Sequence, residues 1–323
     1  MLKALVAAVA RHYLRKPDLA DFLATRLPDT GSVLAAARNE LAFRLGAARL
    51  PVLTQLNVEL TSRCNVACSY CDVNRSLRRQ ARDLDLAVLE RLLRETPSAR
   101  TLLPFQWGEP LLHPALDEAV ALAARRRVRT YVTTNGTLLD AARLRRLSAA
   151  GLTRLTVSLD GTPDDHAARR GYAQEPILQR LADARACQQR ERLPVRLDVS
   201  MVVDESVADR LPAFRARLAP LCDRVQLIPR LRQGARTRAC REPWRGALVV
   251  LSDGRVTACC ADAQGELSLG RVDTTGRGGP TAPQLYAGPA FTALRRAQRE
   301  RRFPGPCATC DECEVPGVSR RFA

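Results

Sequence analysis

Lysine is almost absent: Lys3 and Lys16 are the only two in 323 residues, although the formal net charge is +17. The remaining cationic charge is arginine amid abundant alanine, a skew that a biased codon usage spreads over every solvated face. Aromatic residues are also scarce, at 4%, whereas surfaces that track a nucleic-acid backbone interleave basic side chains with stacking aromatics. The densest basic runs, 125–127 and 299–302, lie on or beside helical patterns. They read as solvated faces, with an acidic or phosphorylated partner as the alternative. No nucleic-acid partner is expected. Long apolar runs are missing as well. The longest near the start, residues 4–10, is far short of a bilayer span, so no membrane partner is expected. It is followed by His12, Arg15 and Lys16 without a small-residue cleavage pattern and reads as a helix, not a signal peptide. Eleven cysteines without an export signal point to a reducing, cytoplasmic setting and to metal ligation in preference to disulfides.

What is present suits one large core with a small appended domain. Residues 1–50 read as helices: Leu2, Leu5, Val6 and Val9 recur at helical spacing, and a second segment, 32–45, closes at Gly46. From residue 53 short β-branched runs alternate with amphipathic segments. Strands are expected at 55–60, 101–106, 128–134, 154–159, 195–203 and 225–228, and helices at 84–94, 114–127, 138–149, 177–189 and 206–218. Such alternation implies parallel strands with right-handed crossovers, here a partial (β/α)6 TIM barrel of the α/β class. Functional side chains then belong at the C-terminal ends of the strands. Beyond about residue 235 the chain turns loop-rich. The expected division is an N-terminal helical segment 1–50, a barrel 51–235 and a C-terminal extension 236–323.

The first expected strand runs straight into Thr61-Ser-Arg-Cys-Asn-Val-Ala-Cys-Ser-Tyr-Cys-Asp72, placing Cys64, Cys68 and Cys71 in a C-x3-C-x2-C array. Three thiolates in eight residues select zinc or an iron–sulfur cluster. Structural zinc wants a fourth protein ligand, and none lies nearby. A [4Fe–4S] cube held by three cysteines keeps one iron open for chemistry. The array resembles the signature of the radical S-adenosylmethionine (SAM) superfamily, with Tyr70 in the aromatic position before the last cysteine. Later segments match in order. Trp107-Gly108-Glu109-Pro110 is similar to the family's Gly-Gly-Glu-Pro, with Trp107 replacing the first glycine; in the family this loop receives the SAM ammonium group. By the same resemblance Ser158 and Asp160 lie near the SAM ribose and carboxylate, and Thr133 and Asn135 line the cavity. Residues 166–171 resemble His-x-x-x-Arg-Gly, which makes Arg170 the partner of the methionyl carboxylate, with Arg169 competing for that role. His113 reads as a loop residue before Pro114, and Met201 as core.

A second cysteine group follows. Cys240 precedes an apolar run, 247–251, the turn Ser252-Asp253-Gly254, and a second arm ending at Cys259-Cys260; this reads as a β-hairpin. Cys307, Cys310 and Cys313 come after an expected helix at 290–301. The layout resembles the SPASM/twitch extension of radical SAM enzymes, in particular twitch dehydrogenases of aminoglycoside pathways. That resemblance implies one auxiliary [4Fe–4S] cluster on Cys240, Cys259, Cys307 and Cys310, with Cys260 and Cys313 left over; a zinc ribbon is the alternative. Cys187 and Cys222 read as inert buried thiols.

The resemblance implies reductive cleavage of SAM by the first cluster, fed by an external electron donor of flavodoxin or ferredoxin type. The resulting 5′-deoxyadenosyl radical abstracts a hydrogen atom from a substrate at the barrel mouth. The expected reaction is oxidation of a small-molecule substrate, a polar metabolite such as a sugar or cyclitol. Epimerisation is the outcome if Cys260 or Cys313 returns a hydrogen atom. A peptide substrate is the alternative, although leader-binding modules of peptide-modifying enzymes begin with strands and the first fifty residues show no strand signal. A non-catalytic iron–sulfur electron carrier is the third reading.

Overall fold

The computed structural model describes residues 30–49, 51–71, 79–203, 205–229, 236–275 and 278–310. The sheet follows from period-two sequences. In β5, Arg196–Val203, the apolar residues Leu197, Val199, Met201 and Val203 all enter the core, while Arg196, Asp198 and Ser200 alternate onto the other face. β4, Arg154–Ser158, repeats the pattern, with Leu155 and Val157 in the core. β1 (Gln55–Val58), β2 (Thr101–Leu103), β3 (Arg129–Thr134), β4, β5 and β6 (Arg224–Pro229) pair in parallel, for example Leu56 with Leu102, Val132 with Leu155 and Val199 with Val225.

Helices cover the apolar face. In chain order they are α1 (Thr30–Leu45), α2 (Leu86–Glu95), α3 (Leu116–Arg125), α4 (Ala141–Ala149), α5 (Pro163–Arg170), α6 (Glu175–Glu191), α7 (Leu211–Leu218), α8 (Ala282–Ala287) and α9 (Pro289–Arg299). Each fully buried leucine of this layer, such as Leu89, Leu116, Leu144 and Leu181, contributes about 1.5–3 kcal/mol. This is the partial barrel expected from the alternation: apolar outside against helices, polar inside.

Three features depart from expectation. The single helix expected at 206–218 is split into a 3-10 turn, Glu205–Arg210, and α7, because Pro212 lacks an N–H and is tolerated only in a first turn. α5 was not expected. Its Thr162–Asp165 capping box, Pro163 in the first turn and Gly171 at φ +78° as C-cap were all visible in the sequence. Third, the hairpin of the C-terminal extension is not separate from the barrel. β7 (Ala247–Val250) pairs in parallel with β1, and β8 (Val256–Thr257) pairs antiparallel with β7, giving one sheet in the order β6-β5-β4-β3-β2-β1-β7-β8. α1 serves that end of the molecule: Phe43 meets Trp244 edge-on at 5.4 Å, and Trp244 Nε1 donates to Ala47 O. The helical spacing of Leu2 to Val9 falls outside the described residues. Among those described, no helix is long and apolar enough to cross a membrane.

Candidate active site

Thr61, Ser62 and Arg63 carry the chain from the β1 end to Cys64, and the loop after β2 is laid directly against them. A Cβ on Gly108 would lie 2.5 Å from Thr61 O and 2.8 Å from Arg63 O, and the residue holds φ +116°, so only glycine fits. The next N–H, that of Glu109, donates to Arg63 O at 2.8 Å. Glu109 is 2% exposed and organises the strand ends around it. Its Oε1 accepts from Leu111 N and Thr134 Oγ1, and its Oε2 from Asn135 N. A carboxylate has about four acceptor positions, so one remains on Oε2, which suits an ammonium donor. Burial raises the Glu109 pKa, against the pull of these donors. Asn135 in turn donates to Asn65, the neighbour of Cys64. Thr133 is half-buried on β3, and Ser158 Oγ lies 3.4 Å from Ser200 Oγ across the β4–β5 seam.

The other side of the cysteine loop is closed by α5. Ser69 N and Oγ both donate to Arg169 O at the helix end. Arg169 donates from its side chain to Val202 O, whereas Arg170, 7% exposed, lies with Nε 2.9 Å from Asp160 Oδ2. The geometry therefore places Arg170, rather than Arg169, beside the cysteines, and its charge favours the thiolate form of Cys68. Asp160 is fully buried; Tyr70 Oη donates to Oδ2 at 2.8 Å and Val202 N to Oδ1 at 2.9 Å. With both oxygens engaged, Asp160 fixes Arg170 and Tyr70. Tyr70→Phe removes one donor from this carboxylate and is expected to lower stability by about 1.5–3 kcal/mol in urea unfolding. An unchanged midpoint would mean that the hydroxyl is not holding Asp160.

Residues overlooked in the sequence complete the shell. Tyr172 Oη donates to Asn135 O, and its ring meets His166 edge-on at 4.8 Å. His166 is held down to about 4, first by burial and then by Arg170, and is neutral. Tyr172 directly follows the Arg-Gly segment and Asn65 directly follows Cys64; adjacency was their only sequence signal. Met201 is fully buried in the core, and His113, also buried, caps the turn after Pro110.

The donor set fits an iron–sulfur cube. Burial raises the pKa of Cys64 and carries that of Cys68 to about 11, and the thiols of this set add mutual repulsion. They therefore stand near one another. Among the described residues, however, no three His, Cys, Asp or Glu side chains gather tightly enough to clasp one ion. Trp107 Nε1 is buried beside the site with no hydrogen-bond acceptor among the described residues.

The second cysteine group also converges. Burial pushes the Cys259 thiol well up, and Cys260 and Cys307 repel it further. Cys307 is pushed up to about 11 by burial, with Arg236 opposing and Cys310 adding repulsion. Cys240 N donates to Gln298 Oε1 at 3.0 Å. Asp262 shapes the loop after Cys260 by accepting from Thr257 Oγ1, Glu266 N and Leu267 N. Cys260 is exposed, Cys187 and Cys222 are buried, and Cys313 lies outside the described residues.

Fold and donor chemistry define an iron–sulfur protein built on an open α/β barrel. A model of the radical SAM superfamily matches residues 58–211, and one of an iron–sulfur cluster-binding domain, SPASM, matches 240–314. Residues 58–211 thus form a radical SAM superfamily domain, and residues 240–314 a SPASM domain that binds an iron–sulfur cluster. Named relatives include the PqqA peptide cyclase of Gluconobacter oxydans (34% identity over 131 residues) and the GTP 3′,8-cyclase of Mycobacterium ulcerans (43% over 141). These matches take in 40% and 41% of this chain but only 37% and 39% of those proteins, well under half their length. The PqqA peptide cyclase of Ruegeria pomeroyi is 28% identical over 314 residues, 82% of each chain. Similar solved structures include BtrN in complex with AdoMet and 2-DOIA (TM-score 0.56, 22% identity, 80% of this chain and 93% of that one). Streptococcus suis SuiB bound to precursor peptide SuiA is another (TM-score 0.57, 11% identity, 89% and 80%). Both structural likenesses bear on the fold alone.

Proposed function

We propose that this enzyme oxidises a small polar metabolite held in the barrel lumen. Cys64, Cys68 and Cys71 would hold the SAM-cleaving [4Fe–4S] cluster, and Cys240, Cys259, Cys307 and Cys310 an auxiliary one. When bound, the first supplies the electron that turns SAM into a hydrogen-abstracting species, and the second supplies an acceptor for the substrate's remaining electron. Arg170 would pair with the SAM carboxylate, and Glu109 and the backbone beside Gly108 would receive its ammonium. The observation that carries this reading is the direct pairing of β1 with β7. β1 leads into the first thiol set, and Cys240 and Cys259 flank the β7–β8 hairpin that is paired with it, so a single sheet carries both groups.

Anaerobically reconstituted protein is expected to hold about eight irons per chain and to release 5′-deoxyadenosine from SAM on reduction. Intact SAM after reduction would overturn the proposal. A second reading, peptide maturation, draws on the relative from Ruegeria pomeroyi, which this chain matches along 82% of both lengths. A mass change in an acidic precursor peptide, with no turnover of free metabolites, would favour it.

A further inference from the structure

Four of the central parallel strands begin with arginine: Arg129 on β3, Arg154 on β4, Arg196 on β5 and Arg224 on β6. Strand alternation puts their side chains opposite the helix-packed face, on the lumen side. There Arg154 lies over the Tyr131 ring at 4.2 Å and Arg129 over the same ring at 5.9 Å. Arg154 Nη1 is 3.6 Å, and Arg196 Nη2 3.4 Å, from the fully buried Asp198, which also accepts from Gln226. Arg224 is near enough to act electrostatically on both Asp198 and Arg154. Three positive charges, those of Arg154, Arg196 and Arg224, thus act on one carboxylate, and Asp198 is the only acid in β3–β6.

Elsewhere an arginine can have a carboxylate to itself, as in Arg146–Asp117 and Arg185–Asp223; in the lumen Arg154 and Arg196 share Asp198. Arg129 Nε and Nη2 and Arg154 Nε are buried with no acceptor among the described residues, and Arg154 is only 8% exposed. A guanidinium presents five N–H donors in a planar fork that matches a phosphate or carboxylate. Buried and unpaired, such donors are unfavourable unless a ligand accepts them. Arg154 lies four residues below Ser158 on the same strand face, about 13 Å at about 3.3 Å per residue. That depth suits a metabolite with an anionic tail better than a bare sugar ring.

We infer that the lumen floor recognises an oxyanion, so that the substrate is a small molecule bearing a phosphate or carboxylate group at the end remote from the reacting C–H. This rests on the reading above that the lumen is the substrate site.

The test is calorimetric titration of the anaerobically reconstituted enzyme with SAM present, using inorganic pyrophosphate and, separately, citrate, at ionic strength held constant with chloride. Saturable one-site binding of either is expected, and the preferred anion distinguishes phosphate from carboxylate recognition. Arg154→Gln should weaken it at least about tenfold. Asp198→Asn, which removes the lone competing carboxylate, should tighten it, a change of sign that a merely misfolded variant cannot give. The inference falls if neither anion saturates above the chloride control, if Arg154→Gln binds like wild type, or if Asp198→Asn binds no tighter. Release of 5′-deoxyadenosine by the wild-type protein is measured in parallel. Its absence would fail the underlying enzymatic reading, whereas loss of anion binding alone fails only this one.

Discussion

Alanine at Cys64, Cys68 and Cys71 together will abolish 5′-deoxyadenosine release and remove about half of the bound iron, leaving the other half on the second cysteine group. The expectation is all-or-none because all three thiols are removed together. Among the described residues the carboxylates that act on these thiols are Glu109 and Asp160; Asp160 already accepts from Tyr70 and Val202, and Glu109 keeps a single acceptor position. The loop itself should survive the change. Its anchors are Glu109 N to Arg63 O on one side and Ser69 to Arg169 O on the other, and neither involves a thiol. Iron analysis and product release on one preparation check both halves. Unchanged iron would remove the thiols from cluster binding, and loss of all iron would mean that the two groups are not independent. Cys307→Ala should give the complementary result, halving the iron through the other site.

How much of this was legible in the chain depended on whether the signal was local. The C-x3-C-x2-C array, the Gly-Glu-Pro turn and the strand alternation are local, and the structure brings Cys64, Gly108, Glu109, Asn135, Asp160 and Arg170 together at adjacent strand ends. Non-local pairing was invisible. Nothing in residues 247–250 announces a parallel partner in β1, although four consecutive buried apolar residues mark a strand covered on both faces. Asp160 shows the same limit. Its position was readable, but its full engagement by Tyr70, Arg170 and Val202 depends on three separate elements. The arginines were legible in part. Arg125 and Arg127 are exposed, as solvated faces should be. The composition, however, hid the arginines that open β3 to β6, even though Arg-Leu-Thr-Val-Ser and Arg-Leu-Asp-Val-Ser carry the period-two signature in plain form.

The second large effect concerns the tie between the two cysteine groups. Glu59, just past β1, is fully buried and meets Arg79 through two contacts of 2.9 Å, while its Oε2 also accepts Ser252 N at 2.8 Å from the hairpin turn. Arg79 Nε donates to Ala263 O at 2.8 Å, in the loop that follows Cys259 and Cys260. A buried pair of this kind need not be strongly stabilising relative to an apolar pair, but removing one partner strands the other charge, a penalty of about 3–5 kcal/mol. Glu59→Gln and Arg79→Met should therefore each lower stability by about that amount in urea unfolding. The Glu59→Leu/Arg79→Met double variant should lose clearly less than the sum of its single changes, because no charge is left unpaired. The double variant still lacks the bonds to Ser252 and Ala263, so its second cysteine group should bind less iron than wild type while the first keeps its own. Single-variant losses below about 1 kcal/mol, the range of solvent-exposed pairs, would show instead that water screens Glu59 and Arg79 and that the β1–β7 pairing alone holds the two groups in register.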